Sequence, residues 1–227
     1  MRDINEILSK NHIKNAKMDL FELALTHPSY NSENNTKHHD YERLEFIGDS
    51  VIGFVSADLI FKSHPEMDQG LMSKLRSSIV RSKSLANYAR KMNLASYIRT
   101  GHSISEEQLC NSDKILEDVF EAFIGATYLS EGIDFTYKFV KSFIMDDISN
   151  ANAYDLVDPK TRLQEEMQDE YRESVKYVVI DEKGPAHDKT FFVEVLFNGI
   201  VLGKGSGKSK KVAEEAAASD ALSKRSV

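Results

Sequence analysis

The sequence has too few cysteines to cross-link itself, since Cys110 stands alone. It has no ligand-spaced partners either, so the pattern predicts a structural cysteine in a reducing, cytoplasmic setting. Long apolar runs are also missing. Nothing approaches the roughly 18 residues of a membrane-crossing segment. Asp58 and Lys62 interrupt the longest candidate, and no membrane partner is expected. Met1-Arg-Asp-Ile-Asn-Glu-Ile-Leu puts acids where a signal peptide would be basic and then apolar. Positive charge is short as well. The 227 residues carry a net charge of −7; residues 158–227 hold 12 Lys and Arg against 13 Asp and Glu, which leaves −6 for the rest. A general attraction to polyanions is therefore excluded, and any nucleic-acid contact must rest on local patches.

What the chain does contain is carboxylates set in apolar helices. In the stretch Glu42-Arg-Leu-Glu-Phe-Ile-Gly-Asp-Ser50, Glu42, Glu45 and Asp49 fall at i, i+3 and i+7, one stripe of a helix. Leu44, Ile47, Val51, Phe54 and Val55 fall on other faces. The helix thus reads as buried on most sides, with its acid stripe facing inward or lining a cleft. Neighbouring like charges cost a few tenths of a kcal/mol in water, and burial raises this to roughly several kcal/mol per unpaired charge. A cation, a basic partner or protonation must compensate. A second apolar helix over Leu116–Gly125 carries Asp118 and Glu121 at i and i+3. Two such helices can form an all-oxygen site, which suits hard ions such as Mg²⁺ or Mn²⁺. A carboxylate-bridged di-iron bundle needs Glu-x-x-His pairs; Gly48 and Ile124 occupy those positions after Glu45 and Glu121.

The Glu42–Ser50 stretch resembles, nearly word for word, the signature of the ribonuclease III family, endonucleases that cleave double-stranded RNA. Ala24-Leu-Thr-His-Pro-Ser-Tyr30 upstream and Asp118-x-x-Glu121 downstream extend the resemblance. It implies that Glu45, Asp49, Asp118 and Glu121 hold Mg²⁺, with Mn²⁺ as a substitute, in a two-ion arrangement. Asp49 and Glu121 are then the catalytic residues whose loss hurts most. It further implies 5′-phosphate and 3′-hydroxyl ends with short 3′ overhangs, made by a homodimer paired through the signature helices. Precursors of rRNA, mRNA and tRNA are the expected substrates. Glu42 is expected to meet RNA or the partner subunit. Many members have Glu-Gly where this chain has Gln69-Gly70, and the amide's missing charge predicts weaker affinity for a second ion.

The fold class expected is multidomain: an all-α endonuclease domain over 1–148, a linker over 149–157 and a small α+β domain over 158–227. In the first domain, helices are expected over 3–11 and 18–27, then a polar loop over 31–39 with solvated His38 and His39. The signature helix runs to the break at His64-Pro65. One long helix is expected over 70–93, a looser segment over 94–110, and helices over 113–130 and 133–148. By resemblance, Lys74, Arg76 and Ser77 approach the RNA backbone.

From Pro159 the texture changes. A helix over 160–171 is followed by strands over 175–180, 191–197 and 200–203, with Asn198-Gly199 as a hairpin turn. An alanine-rich helix follows from Lys208. This α-β-β-β-α order resembles a double-stranded RNA-binding domain. Lys208, Lys210 and Lys211, with no acid until Glu214, cluster with the glycines before them at the helix start, where free N–H groups and the dipole favour phosphate. A nucleotide cofactor is not expected, because Gly203 and Gly207-Lys208-Ser209 fall one residue short of a phosphate-loop spacing. By resemblance, Thr161, Gln164, Glu165, Gln168 and His187 reach minor grooves, where 2′-hydroxyls distinguish RNA from DNA.

Overall fold

The computed structural model describes residues 3–34, 40–152, 156–185 and 187–225. His38 and His39 lie outside the described residues. The chain divides into two compact units, Met1–Ala151 and Asn152–Val227.

The first unit is helical. Its elements are α1 (Ile4–Lys10), α2 (Met18–Ala24), α3 (Pro28–Asn34), α4 (Glu42–Ser63), α5 (Gln69–Ile79), α6 (Ser82–Lys91), α7 (Glu106–Asn111), α8 (Asp113–Glu131) and α9 (Ile133–Ser149), with a 3₁₀ turn at Leu94–Tyr97. The centre is α8, on which Leu116, Val119, Phe120, Ala122, Phe123, Ile124 and Ala126 are fully buried. Edge-to-face rings extend this core: Phe120 on Phe143, Phe139 on Phe143, and Phe21 on Phe123.

The pairing of α4 with α8 fixes the site. A Cβ placed on Gly48 would stand 1.8 Å from the Glu121 carbonyl oxygen, and one on Gly125 would stand 2.3 Å from that of Leu44. The two backbones therefore touch, and the helices cross closer than any side chain would permit. Glu45 on α4 and Asp118 and Glu121 on α8 flank that crossing.

Several expectations need correction. The segment read as one helix over 70–93 is two, because Arg81 is extended (φ −68°, ψ 151°) and begins α6. Ser84 Oγ donates to the Ser78 carbonyl, the kind of side-chain competition that ends helices in Ser-rich stretches. The polar segment after His27-Pro28 begins with a helical turn, α3, rather than as loop. Cys110 is exposed on α7 rather than packed as a structural residue. The signature helix is not buried on most sides either. Phe46, Phe54 and Phe61 are 76%, 58% and 70% exposed. Their spacing of eight and seven residues puts them on one face, beside the acid stripe.

The second unit has the order α10 (Pro159–Tyr171), β1 (Lys176–Lys183), β2 (Thr190–Phe197), β3 (Ile200–Gly207) and α11 (Lys210–Arg225). The sheet is antiparallel in the order β1-β2-β3. Its inner face, Val193 and Val195, packs on Leu163 and Met167 of α10 and on Ala213, Ala217, Ala218 and Ala221 of α11. Asn198 and Gly199 make the β2–β3 turn with φ of 50° and 80°, as an Asn-Gly hairpin requires.

Here too the boundary differs from expectation. The glycine run expected at a helix start is the end of β3. Cβ atoms on Gly203 and Gly205 would meet α11 backbone at 2.4 and 2.2 Å, so these glycines let the helix lie directly on the strand. Helix α11 begins at Lys210 and is capped by Ser209, whose Oγ accepts from Val212 N–H.

Candidate active site

The start of α4 is anchored from below. Tyr41 is buried, its N–H donates to the Thr26 carbonyl, and its hydroxyl donates to Asp118 Oδ2 at 3.3 Å. The His27 ring packs edge-on against Tyr41 with centroids 5.8 Å apart. His27 Nδ1 accepts from Ser29 N–H, so the Ala24–Tyr30 motif forms the floor under the acids.

Above that floor, Glu45, Asp118 and Glu121 each offer an oxygen, all within 4.8 Å of one another. Asp118 and Glu121 are buried, at 6% and 7% exposure. Asp49 is exposed and lies outside this tight triad, on the wall of the cleft lined by Glu42, Glu45, Phe46, Asp49, Glu117 and Glu121. The electrostatics match the crowding. Burial first, then the charges of Asp49, Glu117, Glu45 and Asp118, push the Glu121 carboxyl up to about 8. Burial and Asp118 also raise Glu45, while Lys114 pulls it back. Burial and then Asp118 raise the Tyr41 phenol, keeping it a donor.

The donor set fits a hard divalent cation, because every candidate ligand atom is a carboxylate oxygen. Acids held so near each other need a cation or protonation to compensate them.

Sequence reading missed three residues here. Glu117 lines the cleft and Lys114 reaches Asp118; both lie within a turn of Asp118 on α8, which was a usable signal. Tyr41 gave no signal, since its role comes from the fold. Gln69 does not line the carboxylate cleft. With Arg76 it lines a second groove beside Ala57, Ile60, Phe61, Met72 and Ser73, and its amide donates to Ser73 Oγ. Lys74 and Ser77 are exposed on α5.

In the second unit, Thr161, Glu165 and Gln168 are exposed along one face of α10, and Gln164 between them donates to Ser174 Oγ. Lys160 pairs with Glu214 at 2.5 Å, which ties the start of α10 to the first turns of α11. His187 is exposed in the β1–β2 connection. Its neighbour Asp188 pairs with Lys208 at 2.6 Å, so the lysine run is not free of acids as its sequence implied. Lys210 lies over the Phe191 ring, and Lys211 is 82% exposed with Glu215 at 3.8 Å. The fold thus gathers the His187 loop, the lysine run and the start of α10 around one end of the unit.

Residues 17–148 match the Ribonuclease-III-like family, and residues 159–225 match the Double-stranded RNA binding motif. Ribonuclease 3 of Streptococcus pyogenes serotype M3 is 42% identical over 230 aligned residues, covering 100% of this chain and 99% of that protein. Ribonuclease 3 of Lactococcus lactis subsp. lactis is 41% identical over 207 residues, 90% of this chain and 89% of its own. A solved nuclease domain of ribonuclease III from Campylobacter jejuni, reported for flexibility in a region involved in dimer formation, matches 64% of this chain and 98% of its own. Its TM-score is 0.58 at 30% identity. A second structure of that domain gives 0.59 at 29%, over 67% and 100%. Similarity thus runs through both units and through the two helices whose crossing assembles the acids: the chain belongs to the ribonuclease III family, as a double-stranded RNA endoribonuclease of the bacterial type.

Proposed function

We propose that cleavage depends on Mg²⁺ held by Glu45, Asp49, Asp118 and Glu121, with Mn²⁺ able to replace it. The observation that carries this reading is the convergence of Glu45, Asp118 and Glu121 oxygens at the α4–α8 crossing. When bound, the ion supplies charge that favours attack by water on the phosphodiester and departure of the 3′-oxygen. The chain's own residues hold the geometry. Tyr41 orients Asp118 through Oδ2, the glycine crossing fixes the helix separation, and Asp49 lines the same cleft as Glu121 and raises its carboxyl through charge. Asp49 and Glu121 are the residues assigned to catalysis, and Glu42 at the cleft mouth is assigned to RNA.

The active form proposed is a homodimer joined through α4. The exposed row Phe46, Phe54 and Phe61 supports this, because such a face is seldom left in water. Two symmetric sites would leave a 5′-phosphate, a 3′-hydroxyl and short 3′ overhangs. Precursors of rRNA, and of mRNA and tRNA, are the substrates proposed, which places the work in the cytoplasm. Among the described residues no helix is long and apolar enough to cross a membrane. The reading of 1–148 as nuclease, 149–157 as linker and 158–227 as RNA-binding domain is supported by the division at Ala151 and Asn152. One assay tests the chemistry and the symmetry together. Duplex RNA incubated with Mg²⁺ should be cut to staggered ends carrying 5′-phosphate. Cleavage that persists in chelator, or blunt products ending in 3′-phosphate, contradicts the proposal.

For duplex recognition we assign Thr161, Gln164, Glu165, Gln168 and His187 to minor grooves, Lys208, Lys210 and Lys211 to phosphates between them, and Lys74, Arg76 and Ser77 to the backbone near the cut. The Lys210→Ala, Lys211→Ala double variant should bind duplexes of different sequence more weakly by a similar factor. Its salt slope should fall by about 2, one for each phosphate left without its lysine. An unchanged slope would mean that neither lysine meets a phosphate.

A further inference from the structure

Lys114 lies one helical turn before Asp118 on α8. Its ammonium stands 2.6 Å from Asp118 Oδ1 and 3.8 Å from Glu117 Oε2. Tyr41 donates to the other oxygen, Oδ2. The two Asp118 oxygens are thus divided between a phenol and a cation. Oδ1 is sealed from solvent, and the ammonium lies against it at ion-pair distance. The Lys114 side chain is itself 70% exposed. Its methylene stem lies mostly in water, so the ammonium can leave at little packing cost.

We propose that Lys114 is a built-in counter-cation that competes with the divalent ion for Asp118, compensating the acid cluster until the ion displaces it. The inference rests on the metal-site reading above. An ion about 2.1 Å from Oδ1 would overlap the space the ammonium fills, and repulsion between the two cations in a half-buried cleft drives the lysine outward. Lys114 touches neither substrate nor reacting atoms in this role. It is a positioning residue that sets how much divalent ion the site needs and protects the acids in the ion-free fold.

The test uses the full chain without RNA. Wild type, Lys114→Gln, Lys114→Met and Lys114→Arg are titrated with Mn²⁺ by calorimetry, and melting is followed in chelator and in saturating Mn²⁺. The Gln and Met variants should bind Mn²⁺ about fivefold more tightly, the scale expected for loss of one partly exposed ion pair. In chelator they should melt below wild type, and in saturating Mn²⁺ the difference should close. Lys114→Arg should return both quantities toward wild type. Mn²⁺ affinity that is equal or weaker in the Gln and Met variants overturns the role of Lys114 while leaving the metal site standing. Failure of Mn²⁺ to bind any of the four proteins overturns both.

Discussion

Glu121→Gln should slow cleavage of duplex RNA by about 10³-fold or more, the loss expected when an ion's charge at the reacting phosphate is withdrawn. Duplex affinity should stay unchanged, because glutamine keeps the side chain's shape and Glu121 is not among the residues assigned to RNA. The same substitution should stabilise the ion-free protein. Burial and four neighbouring acids push the Glu121 carboxyl up to about 8, against 4.5 for the free group. Between those values the unfolded chain has lost a proton that the folded chain keeps, so wild-type stability falls as pH rises through that window. Glutamine keeps the shape and never ionises. In chelator the variant should therefore melt at nearly the wild-type temperature at pH 4 and several degrees above it at pH 9. Full activity in Glu121→Gln, or a melting difference that does not grow with pH, would contradict the site.

The second large effect is on the helix crossing. Gly48→Ala places a methyl 1.8 Å from the Glu121 carbonyl oxygen, a backbone atom that cannot turn aside. The helices must separate, at a cost of about 3 kcal/mol or more, the upper range for overpacking a core. Separation also carries Glu45 away from Asp118 and Glu121. A displacement of about 1 Å in a catalytic constellation commonly costs about 10²-fold in rate. Gly125→Ala, 2.3 Å from the Leu44 carbonyl, should behave alike. A Gly48→Ala protein that melts with wild type would mean that the crossing is looser than described.

The sequence was most legible where one physical rule dominated. The spacing of Glu42, Glu45 and Asp49 defined a stripe and that of Asp118 and Glu121 its counterpart; periodicity and desolvation showed that two such helices could share a site, and the resemblance named the acids that would meet. The Asn198-Gly199 hairpin followed from backbone sterics. Expectation failed where tertiary contact decided. Gly203, Gly205 and Gly207 look like loop residues, yet they extend β3 because α11 lies against them. Ser78 to Arg81 carries an unbroken helical pattern, yet the chain turns there between α5 and α6. Phe54 belongs to a helix expected to be buried on most sides, whereas it faces outward together with Phe46 and Phe61. Lys114 and Glu117 were visible as letters, but their approach to Asp118 is a matter of distance.

The floor beneath the acids bears on how the chemistry should be sought. An imidazole near a carboxylate cluster invites assignment as a proton shuttle. In His27, however, the Nδ1 lone pair is already engaged by a main-chain amide, and burial lowers the basicity of the ring despite Asp118 and Asp40 nearby. With Nδ1 taken, proton exchange at this ring is left to Nε2, and its contact in the floor is the edge-on packing against the Tyr41 ring.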